Sequence, residues 1–165
     1  MTELPAAFSG LTPTQVGILV PDLEEGVRTY TEVLGLDNWL IYTYSRESVP
    51  DLTYRGKSAN CSFRLALAGS EPQIELIQPL GGQSVYSEWV EARGFGTQHL
   101  GFHVESLREI SGQLEEQGIL PVQTGSGYGL DGDGAFAYYD TTDSMHLMLE
   151  LIELPARRRP SEVFG

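Results

Sequence analysis

Two short runs in this chain read alike: Gln15-Val16-Gly17-Ile18-Leu19-Val20 and, 84 residues later, His99-Leu100-Gly101-Phe102-His103-Val104. Both read as strands, and both lead into a helix-start signature, Asp22 with Glu25 and Ser106 with Glu109. Leu23, Val27, Tyr30 and Leu34 then share one helical face and stop at Gly35. Leu107, Ile110 and Leu114 do the same and stop at Gly118. A second matched pair, Ile74-Glu75-Leu76-Ile77 and Leu149-Glu150-Leu151-Ile152, is offset by 75 residues. Between these, Trp39 to Tyr44 and Ser62 to Ala68 read as strands of the first half. Leu120 to Gln123 and Ala135 to Tyr139 read as strands of the second. The plan is β-α-β-β-β, twice. Module one covers about 13–80, a joining helix with Val85 and Trp89 on one face covers about 83–93, module two covers about 97–154, and a tail follows at 155–165.

Composition narrows the class. The 165 residues are 41% hydrophobic and 20% charged, a balance that suits one packed domain. Ten Lys and Arg against 23 Asp and Glu leave a formal charge of −13, which repels phosphate backbones and anionic lipid, so neither nucleic acid nor a membrane surface is expected as a partner. No apolar run approaches the roughly 20 residues that cross a bilayer. Met1 to Gly10 has no basic start and no apolar core, so it does not read as a secretory signal and the expected setting is the cytosol. Arg157-Arg158-Arg159 reads as a solvated basic tail, and the lone Cys61 as a small buried thiol. Gly127, Gly129 and Gly132 spell G-x-G-x-x-G, but a strand follows them where a nucleotide fingerprint requires a helix.

The repeat singles out four residues. Gln15 and His99 hold matching places in the first strands, and Glu75 and Glu150 hold matching places in the last. A carboxylate inside an apolar strand is expensive to bury unless something positive neutralises it. Two acids, an imidazole and an amide at equivalent places therefore point to one shared divalent cation near a pseudo-twofold axis. His103 shares strand parity with His99 and reads as a wall residue of the same cavity. His146 reads as lying at the strand mouth, and Glu153 as pointing away from Glu150.

With these residues the chain, over roughly 13 to 154, resembles the vicinal oxygen chelate superfamily of glyoxalase I, methylmalonyl-CoA epimerase, extradiol dioxygenases and bleomycin-resistance proteins. The resemblance implies an α+β fold in which two βαβββ modules form a cupped, mostly antiparallel eight-stranded sheet with helices outside. It implies Gln15, Glu75, His99 and Glu150 as ligands of a divalent ion (zinc, nickel, cobalt, manganese or iron). It also implies a lyase or isomerase that moves a proton next to a carbonyl through an enolate or ene-diolate. In that chemistry Glu150 acts as base or proton shuttle, with Glu75 and His99 holding the metal and Glu75 counted with Glu150 as catalytic, on a small-molecule carbonyl substrate, in a homodimer.

The ligand order is similar to one form of glyoxalase I, while the layout from Ile74 to His99 is similar to the epimerases. Leu19 stands near the place of a glutathione-binding arginine of glyoxalase I, and Thr97 and Gln98 form an insertion after the glyoxalase-like Arg93-Gly94-Phe95-Gly96. The Ser62 to Leu65 region has no acid where epimerases carry one, and Arg64 there suits an anionic substrate. Arg64, Arg93, His103 and Tyr139 are the candidate substrate contacts. The alternatives are a metal-free binding or resistance cup lined by Trp39, Tyr42, Tyr44, Phe63, Tyr138 and Tyr139, and an extradiol dioxygenase, whose iron takes two His and one acid.

Overall fold

In the computed structural model, which describes residues 6–165, both halves fold as the repeat predicts. After a 3₁₀ turn at Ala6–Phe8 come β1 (Gln15–Leu19), α1 (Leu23–Leu34), β2 (Trp39–Tyr44), β3 (Thr53–Tyr54), β4 (Lys57–Ser58), β5 (Ser62–Ala68) and β6 (Gln73–Gly81). The joining helix is α2 (Val85–Arg93). The second half holds β7 (Gly96–His103), α3 (Leu107–Glu116), β8 (Gln123–Tyr128), β9 (Gly134–Tyr139), α4 (Thr142–Met145) and β10 (Met148–Glu153), and the chain closes with β11 (Glu162–Phe164).

Local chemistry explains the helix ends. Asp22 and Ser106 each accept the backbone N–H three residues on, at Glu25 and Glu109, so each satisfies a donor that the first helical turn leaves open. A reciprocal capping box forms at Ser84 and Ser87, ahead of α2. Gly35 closes α1 with a φ of 70°, in the left-handed region that only glycine enters freely.

The strands form one sheet in the order β11-β2-β5-β6-β1-β7-β10-β9-β8-β3-β4. Its centre is the antiparallel pair β1 and β7. Each of these is flanked by a parallel partner, β6 for β1 and β10 for β7, and the remaining ladders are antiparallel. The two modules thus run outward from the β1/β7 seam in matching order.

The strand count is 11 rather than the expected eight. Three short strands account for the difference, and each protects an edge. The polar segment between β2 and β5 folds as the β3–β4 hairpin against β8, and β11 pairs with β2. The segment Leu120 to Gln123 is also corrected. Only Gln123 belongs to a strand, and β8 continues through Gly125 and Gly127 to Tyr128. A glycine suits that strand because the Phe136 ring fills the side-chain space at Gly125, where a Cβ would stand 2.4 Å from the ring.

Strand alternation separates two faces. The inner, concave face gathers Tyr42, Tyr44, Phe63, Leu65, Leu67, Ile77, Tyr128, Phe136 and Tyr138, and Val85, Tyr86 and Trp89 of α2 pack into it. The outer face is covered by α1 over Trp39, Ile41, Ala66 and Leu76, and by α3 over Tyr139, Leu149 and Leu151. The helices are matched across the seam in a further way. Leu23 donates its N–H to the Gln78 side-chain oxygen Oε1 at 3.0 Å, and Leu107 donates to Glu153 Oε1 at 3.1 Å. Glu153 therefore points outward, as its parity requires.

Candidate metal centre

The four candidate ligands lie in two adjacent rows across the seam. In one row Glu75 pairs with Gly17 and Gly17 with His99; in the other, Glu150 pairs with Gly101 and Gly101 with Gln15. Opposite residues project to the same face, so all four side chains enter the concavity. A glycine stands between the members of each row for a steric reason. A Cβ at Gly17 would lie 1.8 Å from His99 Cε1, and one at Gly101 would lie 2.9 Å from Gln15 Oε1. The missing side chains are the space that the ligands fill.

The convergence is close. His99 Nε2 is 3.0 Å from Glu150 Oε2, 3.1 Å from Glu75 Oε2 and 3.3 Å from Gln15 Oε1. Ligand atoms of Glu75, His99 and Glu150 all lie within 4.8 Å of one another. All four residues are buried, His99 completely at 0% exposure. Burial pulls the His99 pKa down, but the charges and hydrogen bonds of Glu150 and Glu75 push it up by more, to about 9. Burial raises the Glu150 carboxyl, with His99 opposing and Glu75 adding to the rise. Although both acids lie close to His99, Glu75 Oε2 and Glu150 Oε2 lack a hydrogen bond of good geometry. Two buried acid oxygens aimed at one point beside an imidazole nitrogen and an amide oxygen fit a divalent cation in charge, donor type and spacing.

One residue of the site carries no warning in the strand pattern. Between Gly17 and Ile18 the seam register slips, so that Gly17 faces His99 while Ile18 faces Thr97. Gln98 is the extra residue of a β-bulge, and the insertion at Thr97 and Gln98 is its sequence trace. The bulge buries the Gln98 side chain, whose Oε1 lies 2.7 Å from His99 Nδ1, while its amide N–H reaches Met148 Sδ at 3.5 Å. When Nδ1–H donates to Gln98, Nε2 presents its lone pair to the ligand cluster. Tyr138 completes the cradle, its ring set edgewise 5.1 Å from the imidazole and its hydroxyl 2.9 Å from that of Tyr86.

The candidate substrate contacts are not brought together. Arg64 lies on the outer face, paired with Glu24 at 2.7 Å and with Glu162. Arg93 is exposed at the end of α2, its guanidinium 4.8 Å over the Trp89 ring. Tyr139 packs outward under α3, edge-on to Phe8, because neighbouring Tyr138 takes the inward position opposite Glu150. Trp39 is likewise outside, its indole N–H bonded to Thr31, so four of the six aromatics expected in the cup line it. His103 sits at the far end of β7 beside a separate hollow with Thr14 and Gln73. His146 caps α4 and is exposed, and Cys61 is a buried free thiol.

The tail also departs from its expectation. Arg157 is exposed but pairs through two nitrogens with Asp131, and Arg158 turns back over the mouth of the cup, where its guanidinium stacks 4.4 Å above the Tyr42 ring. The triplet reads as uniformly solvated only while the partners on β2 and on the β8–β9 turn are out of view.

This arrangement of paired modules around a buried acid–imidazole cluster agrees with the family comparison. The model of the Glyoxalase/Bleomycin resistance protein/Dioxygenase superfamily matches residues 14–139, and the chain belongs to that family. Among solved structures it is similar to methylmalonyl-CoA epimerase from Mycobacterium tuberculosis, at 25% identity over 86% of this chain and 87% of that one, with a TM-score of 0.59. A Streptomyces coelicolor methylmalonyl-CoA epimerase variant in complex with 2-nitronate-propionyl-CoA gives 19% identity, 89% and 100% coverage and a TM-score of 0.64. A hypothetical protein from Bacillus halodurans gives 18%, 92% and 99% coverage and 0.62. No curated protein matches the chain in sequence. Among the described residues no helix is long and apolar enough to cross a membrane.

Proposed function

We propose that this chain is a metal-dependent enzyme that moves a proton on the carbon beside a carbonyl, an isomerase or lyase of the epimerase or glyoxalase type. The observation that carries the reading is the meeting of Gln15, Glu75, His99 and Glu150 at one buried point. Their family and the likeness to epimerases support it.

Gln15, Glu75, His99 and Glu150 would hold a divalent cation (zinc, nickel, cobalt, manganese or iron), which would supply positive charge to stabilise negative charge developing on a substrate oxygen. Two carboxylates balance its charge, and neutral Gln15 adds a donor without offsetting its pull. Glu150 takes the proton from the substrate carbon as general base. Glu75 is its mate across the seam, at the matching place of the other module, and is placed to return a proton. Tyr138 and Gln98 hold the imidazole in position. The space left beside the acids is a cavity of about 30 Å³, the scale of a single water, lined by Gln15, Glu75, Glu150, Tyr86 and Arg158 among others.

Metal analysis of protein purified without chelator is expected to give one divalent ion per chain. In deuterated water the protein should exchange label into 2-oxo or acyl-thioester substrates. Glu150→Gln should keep the fold and slow exchange by about 10²–10⁴-fold, the usual worth of a positioned general base. Normal turnover by that variant would overturn the assignment. A metal-free preparation that binds aromatic ligands tightly in calorimetry would replace it with the binding-cup reading.

A further inference from the structure

The C-terminal segment is tied down along its length. Ala156 N–H donates to Asp133 at 3.0 Å, Leu130 N–H donates to the Arg157 carbonyl at 2.8 Å, and Arg157 pairs with Asp131. Ser161 N–H donates to the Ile41 carbonyl at 2.8 Å, after which β11 joins the sheet at β2. Gly129 makes room for the crossing, since a Cβ there would stand 2.4 Å from Pro155. The segment is a strap from the β8–β9 turn of one module to the edge strand of the other, and Arg158 lies at its middle.

Arg158 differs from the other arginines, which either pair with a carboxylate or, like Arg28, Arg46, Arg93, Arg108 and Arg159, stand exposed. Arg55, Arg64 and Arg157 each reach a carboxylate. Among the described residues no carboxylate lies within 4.0 Å of Arg158, although the chain carries 23 acids. The half-buried guanidinium rests on the Tyr42 ring and donates to the Tyr44 hydroxyl at 3.4 Å. It borders two hollows, the small cavity that holds Glu75 and Glu150 and an outer one of about 480 Å³ lined by Tyr42, Tyr44, Gly127, Leu130 and Arg159. A desolvated planar cation on an aromatic face, with most of its N–H donors unused, matches a carboxylate in shape and charge.

We propose that the strap presents Arg158 to a carboxylate of the substrate, so that the site takes a carbonyl compound bearing a carboxylate near its chelating oxygens, with the remainder of the molecule in the outer hollow. This rests on the metal-dependent reading, because the cup accepts an anion only once a cation has neutralised its two acids.

The test uses the full chain loaded with cobalt(II), whose visible absorption reports chelation, and two kinds of probe. Acetohydroxamate chelates through two oxygens and ends in a methyl group, whereas malonomonohydroxamate and succinomonohydroxamate add a pendant carboxylate. Wild type is expected to bind at least one of the carboxylate probes at least tenfold more tightly than acetohydroxamate. Arg158→Gln should bring that ratio close to one while cobalt and acetohydroxamate affinities stay the same, and Arg158→Lys should keep part of the preference. A wild-type ratio near one overturns the proposal, as does a ratio that survives Arg158→Gln. A rise in cobalt affinity in Arg158→Gln with no change in ratio also overturns it, by making Arg158 a counter-ion for the acids. If the chain takes up no divalent ion, the metal reading fails and the proposal falls with it, an outcome distinct from the others.

Discussion

At the scale of single residues, the site depends on two side chains that are absent. Gly17 and Gly101 stand where any Cβ enters the ligand space, and the two positions differ in what they meet. Gly17→Ala drives a methyl into the buried His99 ring, 1.8 Å from Cε1, with no flexible neighbour to yield. Chemical denaturation should show a loss above the ~1–3 kcal/mol usual for overpacking, together with lost metal binding. Gly101→Ala meets the terminal oxygen of Gln15 at 2.9 Å and should cost only about 1–3 kcal/mol. The convergence of Gln15, Glu75, His99 and Glu150 was legible in the sequence because they recur at matching places of the repeat. The role of the glycines was not, since it depends on which strand lies opposite. The same limit misplaced Arg64 and Tyr139. Each has the chemistry of a substrate contact, and its parity within a strand turns it to the helix side.

At the scale of elements, the bulge in β7 is the feature that finishes the site. One extra residue in the strand brings Gln98 and His99 to the same side, which a regular strand cannot do. Gln98→Leu removes the acceptor 2.7 Å from His99 Nδ1 at nearly constant volume. Cobalt affinity should fall by about 10–100-fold, as for other partners that orient ligating histidines, while circular dichroism stays that of wild type. Unchanged affinity would reduce Gln98 to a packing role. Helix limits were readable from Asp22, Gly35 and Ser106 because caps are local chemistry, while α3 ends at Glu116 with Gln117 as its cap, one residue short of Gly118. The β3–β4 hairpin and β11 were not, because a strand of two or three residues outside the core owes its existence to the edge it joins.

At the scale of the whole molecule, the proposed metal reading ties folding to metal binding through the buried acids. Without metal, His99 in its charged form balances Glu75 and Glu150, its pKa lifted to about 9 from a usual 6.5. A group raised in the folded state contributes its full stability below its ordinary pKa and loses that contribution as pH rises through the folded value. The melting temperature of metal-free protein is thus expected to fall between about pH 6.5 and pH 9. Divalent metal should reverse the trend, because its ligands must shed protons to bind it. At 100 times the dissociation constant it adds about 2.7 kcal/mol, roughly 5–10 °C for a domain of this size. Melting curves across this pH range, with and without cobalt, decide the point. A metal-free melting temperature that rises with pH would contradict the ion pairing described for His99.

The sequence by itself determined the duplicated β-α-β-β-β plan, most helix caps and which four polar residues meet at the seam, because periodicity, capping and repetition are written in neighbouring positions. Tertiary structure alone decided which strand faces which, where the register slips and where the C-terminal segment crosses. Those outcomes made Gly17 and Gly101 into space, Gln98 into a partner for His99 and Arg158 into part of the cup mouth. Each depends on contacts between residues far apart in the chain, and local patterning carries no record of such contacts until the sheet has formed.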